Sequence, residues 1–122
     1  MIETALVLPL FFLLLFGIFT YSLILFGRGN SICAANMTAR YAALHSSTAV
    51  VPSTVATVKS YATSFLIGAP ASGATVTPTY SAGNTVGGTV TVTVSVTYPT
   101  GIPFHGGGNI TITAAAKRTI SR

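Results

Sequence analysis

The chain has 122 residues, of which 50% are hydrophobic and only 6% are charged. One small domain with one extended element accounts for that length. Ordinary soluble domains are roughly one-quarter charged, so this composition indicates a chain that contacts a membrane or other copies of itself. The net charge of +5 comes from scattered side chains rather than from a basic stripe, which argues against nucleic-acid binding.

Side chains that could catalyse a reaction or bind a metal are scarce. Hydrolysis and group transfer usually need a carboxylate, a poised histidine or a nucleophile with its base, and the sequence has one acidic residue, two His and one Cys. His45 and His105 lie far apart, and the glycine run 106–108 lacks the Lys-Ser/Thr of a phosphate-binding loop. Cys33 is expected to be a packed, inert thiol. We therefore expect no enzyme, no cofactor, no metal and no small-molecule substrate, and a membrane-tethered enzyme is the weakest interpretation.

An uncharged stretch runs from Ala5 to Phe26, and it is long enough to span a bilayer core of about 30 Å. A cleavable signal peptide would need a basic n-region and a small-residue cleavage site, and neither precedes residues 27–29 convincingly. We expect the mature protein to keep the segment. Because proline removes a backbone hydrogen bond, Pro9 is a predicted point of helix kinking or melting. Gly17 is a second predicted point.

The helical pattern continues past Gly29 to about His45, which predicts one helix of some 40 residues, about 60 Å long. Residues 1–50 are assigned to this N-terminal element and residues 51–122 to a small globular domain. The second half of the helix is rich in alanine, a composition that suits close helix-to-helix approach. The residues predicted to pack against other helices are Leu6, Leu10, Leu13, Leu14, Phe16, Ala35, Ala39 and Ala42.

The globular domain begins with a second helix, predicted over residues 52–67. Pro52 suits its first turn, and Gly68 can end it.

Beyond that helix, strict alternation over residues 88–98 predicts a half-buried antiparallel strand with valines on one face and Thr and Ser on the other. Residues 74–80 and 109–120 are its predicted partner strands. The predicted fold class is α+β: a long N-terminal hydrophobic helix, a short second helix and a small three-stranded antiparallel sheet whose valine face packs on the helices.

Glu3 is the single acidic residue, and it stands at the start of the apolar run. An ionised carboxylate in hydrocarbon is costly without a partner, and intramembrane acids are usually functional. In one interpretation Glu3 lies among lipid headgroups and favours the positive end of its own helix. In the other it pairs with the α-amino group of Met1, its own or that of a neighbouring copy, and sets the register between helices.

The distribution of charge bears on membrane topology. All positive side chains lie C-terminal to the apolar run, so the positive-inside rule would place the sheet in the cytoplasm. A Thr-, Ser- and Gly-rich sheet without disulfides looks instead like a surface module. The conflict disappears if a short basic leader preceded Met1 and was removed, so we expect Met1 to be a processed N-terminus.

Residues 3–10 run in the order acid, small apolar, leucine-proline and leucine, and an apolar run with Phe26-Gly27-Arg28 follows them. This pattern resembles the TadE-like family of pilins and pseudopilins. Residues 39–43 support the resemblance, and residues 96–114 are similar to the strand-loop-strand at the C-terminus of that family.

The resemblance implies a precursor cut by a prepilin peptidase at the cytoplasmic face and a bitopic membrane intermediate with the sheet outside. It also implies polymerisation by a Tad-type machine into a type IV-like filament. Glu3 would match the N-terminal glutamate of the family, although it lies nearer the N-terminus. Thr20-Tyr21 stands where many relatives carry a second acid, which leaves Arg28 without an evident partner on its own helix.

The leading interpretation is a structural pilus subunit whose residues 1–50 span the inner membrane before assembly and form the filament core afterwards. Its expected partners are other copies of itself, the prepilin peptidase, the inner-membrane Tad-type machinery and the membrane, with no nucleic acid. The alternative is a minor pseudopilin or bitopic surface protein that binds a partner through its β-domain and forms no filament.

Overall fold

The computed structural model describes residues 1–68, 73–99 and 108–121. Its elements are α1 (Ile2–Leu44), α2 (Val55–Ser64), β1 (Ala74–Tyr80), β2 (Thr89–Pro99) and β3 (Asn109–Thr119). The predicted α+β class, with one long helix, one short helix and a three-stranded antiparallel sheet, is confirmed. The strands begin and end within one residue of the predicted bounds.

The long helix α1 has 43 residues and is therefore about 64 Å long. It ends at Leu44, because His45 has non-helical dihedral angles of φ −121° and ψ 61°. The next residues turn back toward the domain, where Ser53 N donates to His45 O at 2.9 Å. The predicted N-terminal element, residues 1–50, is therefore helical only as far as Leu44.

The short helix α2 is three residues shorter at each end than the predicted segment 52–67. Its start is set by a reciprocal capping box: Thr57 N donates to Thr54 Oγ1 at 3.2 Å, and Thr54 N donates to Thr57 Oγ1 at 2.8 Å. These bonds make Thr54 the N-cap, so Pro52 lies outside the helix rather than in its first turn. Gly68, with φ +74°, lies in the turn beyond the helix end.

The sheet is antiparallel with β2 in its centre, in the order β1-β2-β3. Val94 pairs with Val76 on one side and with Ala114 on the other. All four alternating valines of β2 are fully buried, as the period of two predicts; they are Val90, Val92, Val94 and Val96. The hairpin between β1 and β2 contains Gly83 and Gly87, both with positive φ.

The core lies between the sheet and the second half of α1, which packs on β2 and β3, while α2 packs on α1 and β1. The buried positions of α1 recur every three or four residues and carry small side chains, so the helix backbone approaches the sheet closely. They are Gly27, Ser31, Ala34, Ala35, Thr38, Ala39, Ala42 and Ala43. We call residues 27–44 the packed half of α1 and residues 2–26 its apolar half.

Candidate functional site

The apolar half of α1 projects from the folded body. In the described segment 1–68, burial begins only at Gly27. An 18-residue window of α1 has a mean hydropathy of 2.4 and none of it buried, and the helix passes the length and composition test for a membrane span. Residues 2–26, none of which is buried, reach about 37 Å as α-helix, enough for a hydrocarbon core of about 30 Å. This half-helix needs a cover that the described residues of the chain do not provide.

Glu3 lies in the first turn of α1, and its side chain is exposed. Within the described residues no ion pair joins Glu3 to the Met1 amine or to any basic side chain. Its position at the N-terminus is favourable, because the unpaired N–H groups there carry partial positive charge. The predicted pair between Glu3 and the Met1 amine is thus not formed within one chain, and a pair between copies stays a prediction.

The helix is continuous through Pro9 and Gly17, so neither residue melts it in the isolated chain. Pro9 has no N–H to donate to the carbonyl of Ala5. Predicted kinking or melting at these two positions upon assembly stays a prediction.

Two hydroxyl side chains of the apolar half, those of Thr20 and Ser22, bond to the backbone of their own helix. Thr20 Oγ1 donates to Phe16 O at 2.8 Å, and Ser22 Oγ donates to Ile18 O at 2.9 Å. Because these hydroxyls are already satisfied, they can enter an apolar environment without the cost of an unpaired donor. The hydroxyls of Thr20 and Ser22 are therefore compatible with burial in lipid or in a helix bundle.

The predicted helix-packing residues divide into two groups. Those of the apolar half are exposed and open to contact with another helix; they are Leu6, Leu10, Leu13, Leu14 and Phe16. Ala35, Ala39 and Ala42 are instead at most 1% exposed in the core that contains the valines of β2. The chain's own core, which contains residues of the sheet and of α2, covers these alanines, and their predicted packing against another helix stays a prediction.

Cys33 also differs from its prediction, because it is exposed rather than packed. It lies on the side of α1 that faces away from the sheet. The helical period explains the exposure of Cys33, because the neighbouring Ala34 and Ala35 are the residues of this turn that face the core.

The two halves of α1 meet at a close contact with the sheet. A Cβ built on Gly27 would lie 2.7 Å from Tyr98 Cε2 and 2.9 Å from the Tyr98 hydroxyl oxygen. A side chain at position 27 would therefore force the Tyr98 ring to shift away from the helix backbone. The adjacent Arg28 is exposed, and it marks the end of the uncharged run.

The opposite end of the body is held by contacts that the sequence did not predict. Asn84, in the β1–β2 hairpin, donates from Nδ2 to His45 O at 3.2 Å and to Ser53 O at 3.3 Å. These bonds connect the hairpin to the α1–α2 connection. No local pattern in the sequence points to this contact, because the residues are more than 30 positions apart.

An aromatic cluster joins the two helices at the same end. The rings of Tyr41 and Tyr61 are stacked with centroids 4.4 Å apart, and His45 stacks on Tyr41 at 4.2 Å. Phe65 meets Tyr61 edge-on at 5.1 Å. His45 Nδ1 lies 2.8 Å from Tyr41 O, so the imidazole ring also forms a hydrogen bond with the last turn of α1.

Within residues 1–68, 73–99 and 108–121, no three His, Cys, Asp or Glu side chains come together as a metal site would require. His105 and most of the glycine run 106–108 lie outside the described residues. The candidate site is therefore the apolar half of α1 with Glu3 at its start and Arg28 beyond its end.

Residues 1–43 match the family described as TadE-like protein. The matched segment coincides with α1 and does not extend to α2 or the sheet. The resemblance seen in residues 3–10 is confirmed over that range, whereas the similarity proposed for residues 96–114 stays a prediction. No curated protein and no solved structure matches the chain.

Proposed function

We propose, from the TadE-like segment at residues 1–43, that this chain is a Tad pilus-associated protein and that it polymerises into a type IV-like filament. One observation carries the proposal. A folded helix-and-sheet body presents an exposed half-helix. Its single charged side chain is a carboxylate at its tip. Such a shape suits a subunit held first by a membrane and later by its own copies.

Before assembly, the apolar half would cross the inner membrane. Its exposed length of about 37 Å exceeds the hydrocarbon thickness of about 30 Å, so Glu3 and Arg28 would lie in opposite headgroup regions. The sheet would lie on the outer side after removal of a leader by a prepilin peptidase. The half-buried Thr and Ser on the outer face of β2 suit contact with water, while the valines remain inside.

After extraction, the apolar halves of many copies would form the filament core. Lipid tails are as apolar as leucine, so moving a helix from lipid into a helix bundle gains little hydrophobic free energy. Leaving the bundle for water would cost about 25 cal/mol for each Å² of apolar surface exposed. The filament would thus be stable once outside, and the inner-membrane Tad-type machinery would provide the work of extraction.

Head-to-tail packing that does not close on itself produces open helical filaments. The all-round exposure of the large side chains of the apolar half allows contacts with several neighbours at once. A cation from a neighbouring copy would neutralise Glu3 in this core and determine the offset between subunits. In this role the chain acts as a structural protein without catalytic chemistry.

A minor pseudopilin or bitopic surface protein is the second candidate function. The outer edge of β3 favours it. Among the described strands β3 pairs only with β2, and it has no proline over Asn109–Thr119, whereas the opposite edge strand β1 contains Pro78. A partner strand could therefore add to β3 through main-chain hydrogen bonds.

Shearing of cells that express the chain tests the filament proposal. We expect the sheared fraction to contain uniform filaments composed mainly of this chain under negative stain. Mass spectrometry of the sheared protein should find a free amine at the mature N-terminus. A chain that remains entirely in the membrane fraction, while its sheet captures a partner, would favour the second candidate instead.

A further inference from the structure

The apolar half of α1 has one charge of each sign at its two ends. Glu3 is the acid near its start, and Arg28 is the cation just beyond its last residue. No charged side chain lies between them. Both side chains are exposed, and neither makes an ion pair with a described residue.

Helix geometry places these two charges on one side of α1. They are about 25 residues apart, which corresponds to ~37 Å and to about seven turns of 3.6 residues. In an ideal helix their directions differ by only about 20°. Leu10, Leu14 and Tyr21 lie along the same side, so one apolar strip joins the acid to the cation. No side chain spans that distance, and one chain cannot form the pair by itself.

We infer that Glu3 of one copy pairs with Arg28 of the next copy, with their α1 helices parallel and offset by ~37 Å along the axis. The inference rests on the proposed filament function and names the cation that the filament core requires. Arginine stays charged at every physiological pH and offers a carboxylate two parallel hydrogen bonds. The neighbouring Met1 amine, the alternative cation, forms a pair with much less directional preference.

The same offset covers an exposed ridge on the packed half. Residues four apart remain exposed along it, and they are Arg28, Ile32, Asn36, Arg40 and Leu44. Ile32 is 45% exposed although it is a large apolar residue. At the proposed offset Val7 of the next copy lies opposite Ile32, and such ridges pack into the grooves of a facing helix.

A Met1 amine paired with the neighbouring Glu3 would offset the copies by about one turn or less. The apolar half of one copy would then lie beside the apolar half of the next and would leave the Ile32 ridge uncovered. The charge of Arg28 would have no acidic side chain of a neighbour within reach, because Glu3 is the only acid in the chain.

The membrane keeps the two charges apart until assembly. While they lie in opposite headgroup regions, both are hydrated and neither needs a partner. In the filament core, the surrounding apolar halves remove that water, and a lone carboxylate becomes unfavourable. Correctly offset copies neutralise it, and wrongly offset copies do not. The pair thereby selects one axial register.

Substitution of Arg28 tests the pair against a matched control. We expect Arg28→Gln to lower the amount of the chain in the sheared filament fraction about tenfold or more, with its amount in the membrane fraction unchanged. Lys59→Gln removes an exposed cation of α2, which lies outside the ridge that the neighbouring copy covers, and should leave filament yield unaltered. Exchanging the charges, Glu3→Arg with Arg28→Glu, should recover filaments that each single change loses.

A cross-link measures the offset with both charges intact. In a Cys33→Ala background, Val7→Cys with Ile32→Cys should give a ladder of disulfide-linked multimers when filaments are oxidised. Val7→Cys with Asn36→Cys displaces the second thiol by one turn, about 6 Å along the axis, and should give little cross-linking.

The outcomes separate the inference from the function on which it rests. If the unmodified chain forms no filaments, the proposed function fails. If it forms filaments and Arg28→Gln forms them equally well, only the Glu3–Arg28 pair is overturned. A ladder from the Val7 and Asn36 pair in place of the Val7 and Ile32 pair overturns the offset.

Discussion

The ring of Tyr98 lies against the backbone of Gly27, so close that a Cβ on Gly27 would meet Tyr98 Cε2 at 2.7 Å. Gly27 is the first buried residue of α1, and Tyr98 lies near the end of β2. The contact therefore marks the point where α1 leaves the sheet and its exposed apolar half begins. Tyr98 also packs against the edge of the hydrophobic core.

Gly27→Leu should destabilise the packed body. A leucine side chain has to displace the Tyr98 ring, and forced repacking of this kind typically costs about 1–3 kcal/mol. The improved helix propensity of leucine offsets part of that cost. The free energy of unfolding is measured by urea denaturation of the detergent-solubilised chain, followed by the circular dichroism of the sheet.

Gly29→Leu is the matched control, because nothing lies within 4 Å of a Cβ at Gly29. We expect it to be neutral or to stabilise the helix by up to about 1 kcal/mol. Equal losses of stability from the two changes would contradict the role given to the Gly27 contact. In a double-mutant cycle, Tyr98→Ala should remove most of the penalty of Gly27→Leu.

Val94→Ala should be among the costly single changes in the sheet. Val94 is fully buried in the centre of β2, and the change leaves a cavity between the sheet and α1. We expect a loss of about 1–3 kcal/mol in the free energy of unfolding. Thr77→Ala, on the exposed face of β1, should change it by less than about 0.5 kcal/mol. A similar effect of both changes would mean that the valine face is not the core.

Asn84→Ala should loosen the end of the body opposite Gly27. It removes the Nδ2 hydrogen bonds to His45 O, Ser53 O and Ser53 Oγ, and leaves carbonyl groups with fewer donors. The expected loss is about 1–3 kcal/mol, together with faster amide hydrogen exchange at Ser53. Asn36→Ala is the control, because its Nδ2 bonds only to Ile32 O on its own exposed helix face. Unchanged exchange at Ser53 in the Asn84 variant would refute the proposed link.

Glu3→Gln should reduce filament assembly without affecting the fold. The side chain is exposed and far from the sheet, so the unfolding free energy of the body should change by less than about 0.5 kcal/mol. The variant loses the charge that a neighbouring cation would neutralise, and filament yield should fall strongly. Normal yield from Glu3→Gln and from Glu3→Ala would show that Glu3 is only a headgroup-region acid.

Local periods in the sequence predicted most of the fold. Alternation over residues 88–98 identified β2 and its buried valines, and the uncharged run identified α1. Helix boundaries were less predictable, because the reciprocal bonds of Thr54 and Thr57 outweighed the preference of Pro52 for a first turn. A cap depends on side-chain geometry that composition does not reveal.

The sequence by itself determined that α1 has an apolar half whose single charged residue, Glu3, stands at its start. Only the order of the residues is needed to see this. It also showed that the second half of α1 has small side chains, as at Ala35 and Ala39. Only the tertiary structure decided what those alanines contact. A helix face of small side chains can pack against many surfaces, and which of them it contacts depends on what lies next to it in the fold. These alanines lie in the chain's own core, whereas Cys33 is exposed and the apolar half is the surface available to neighbours.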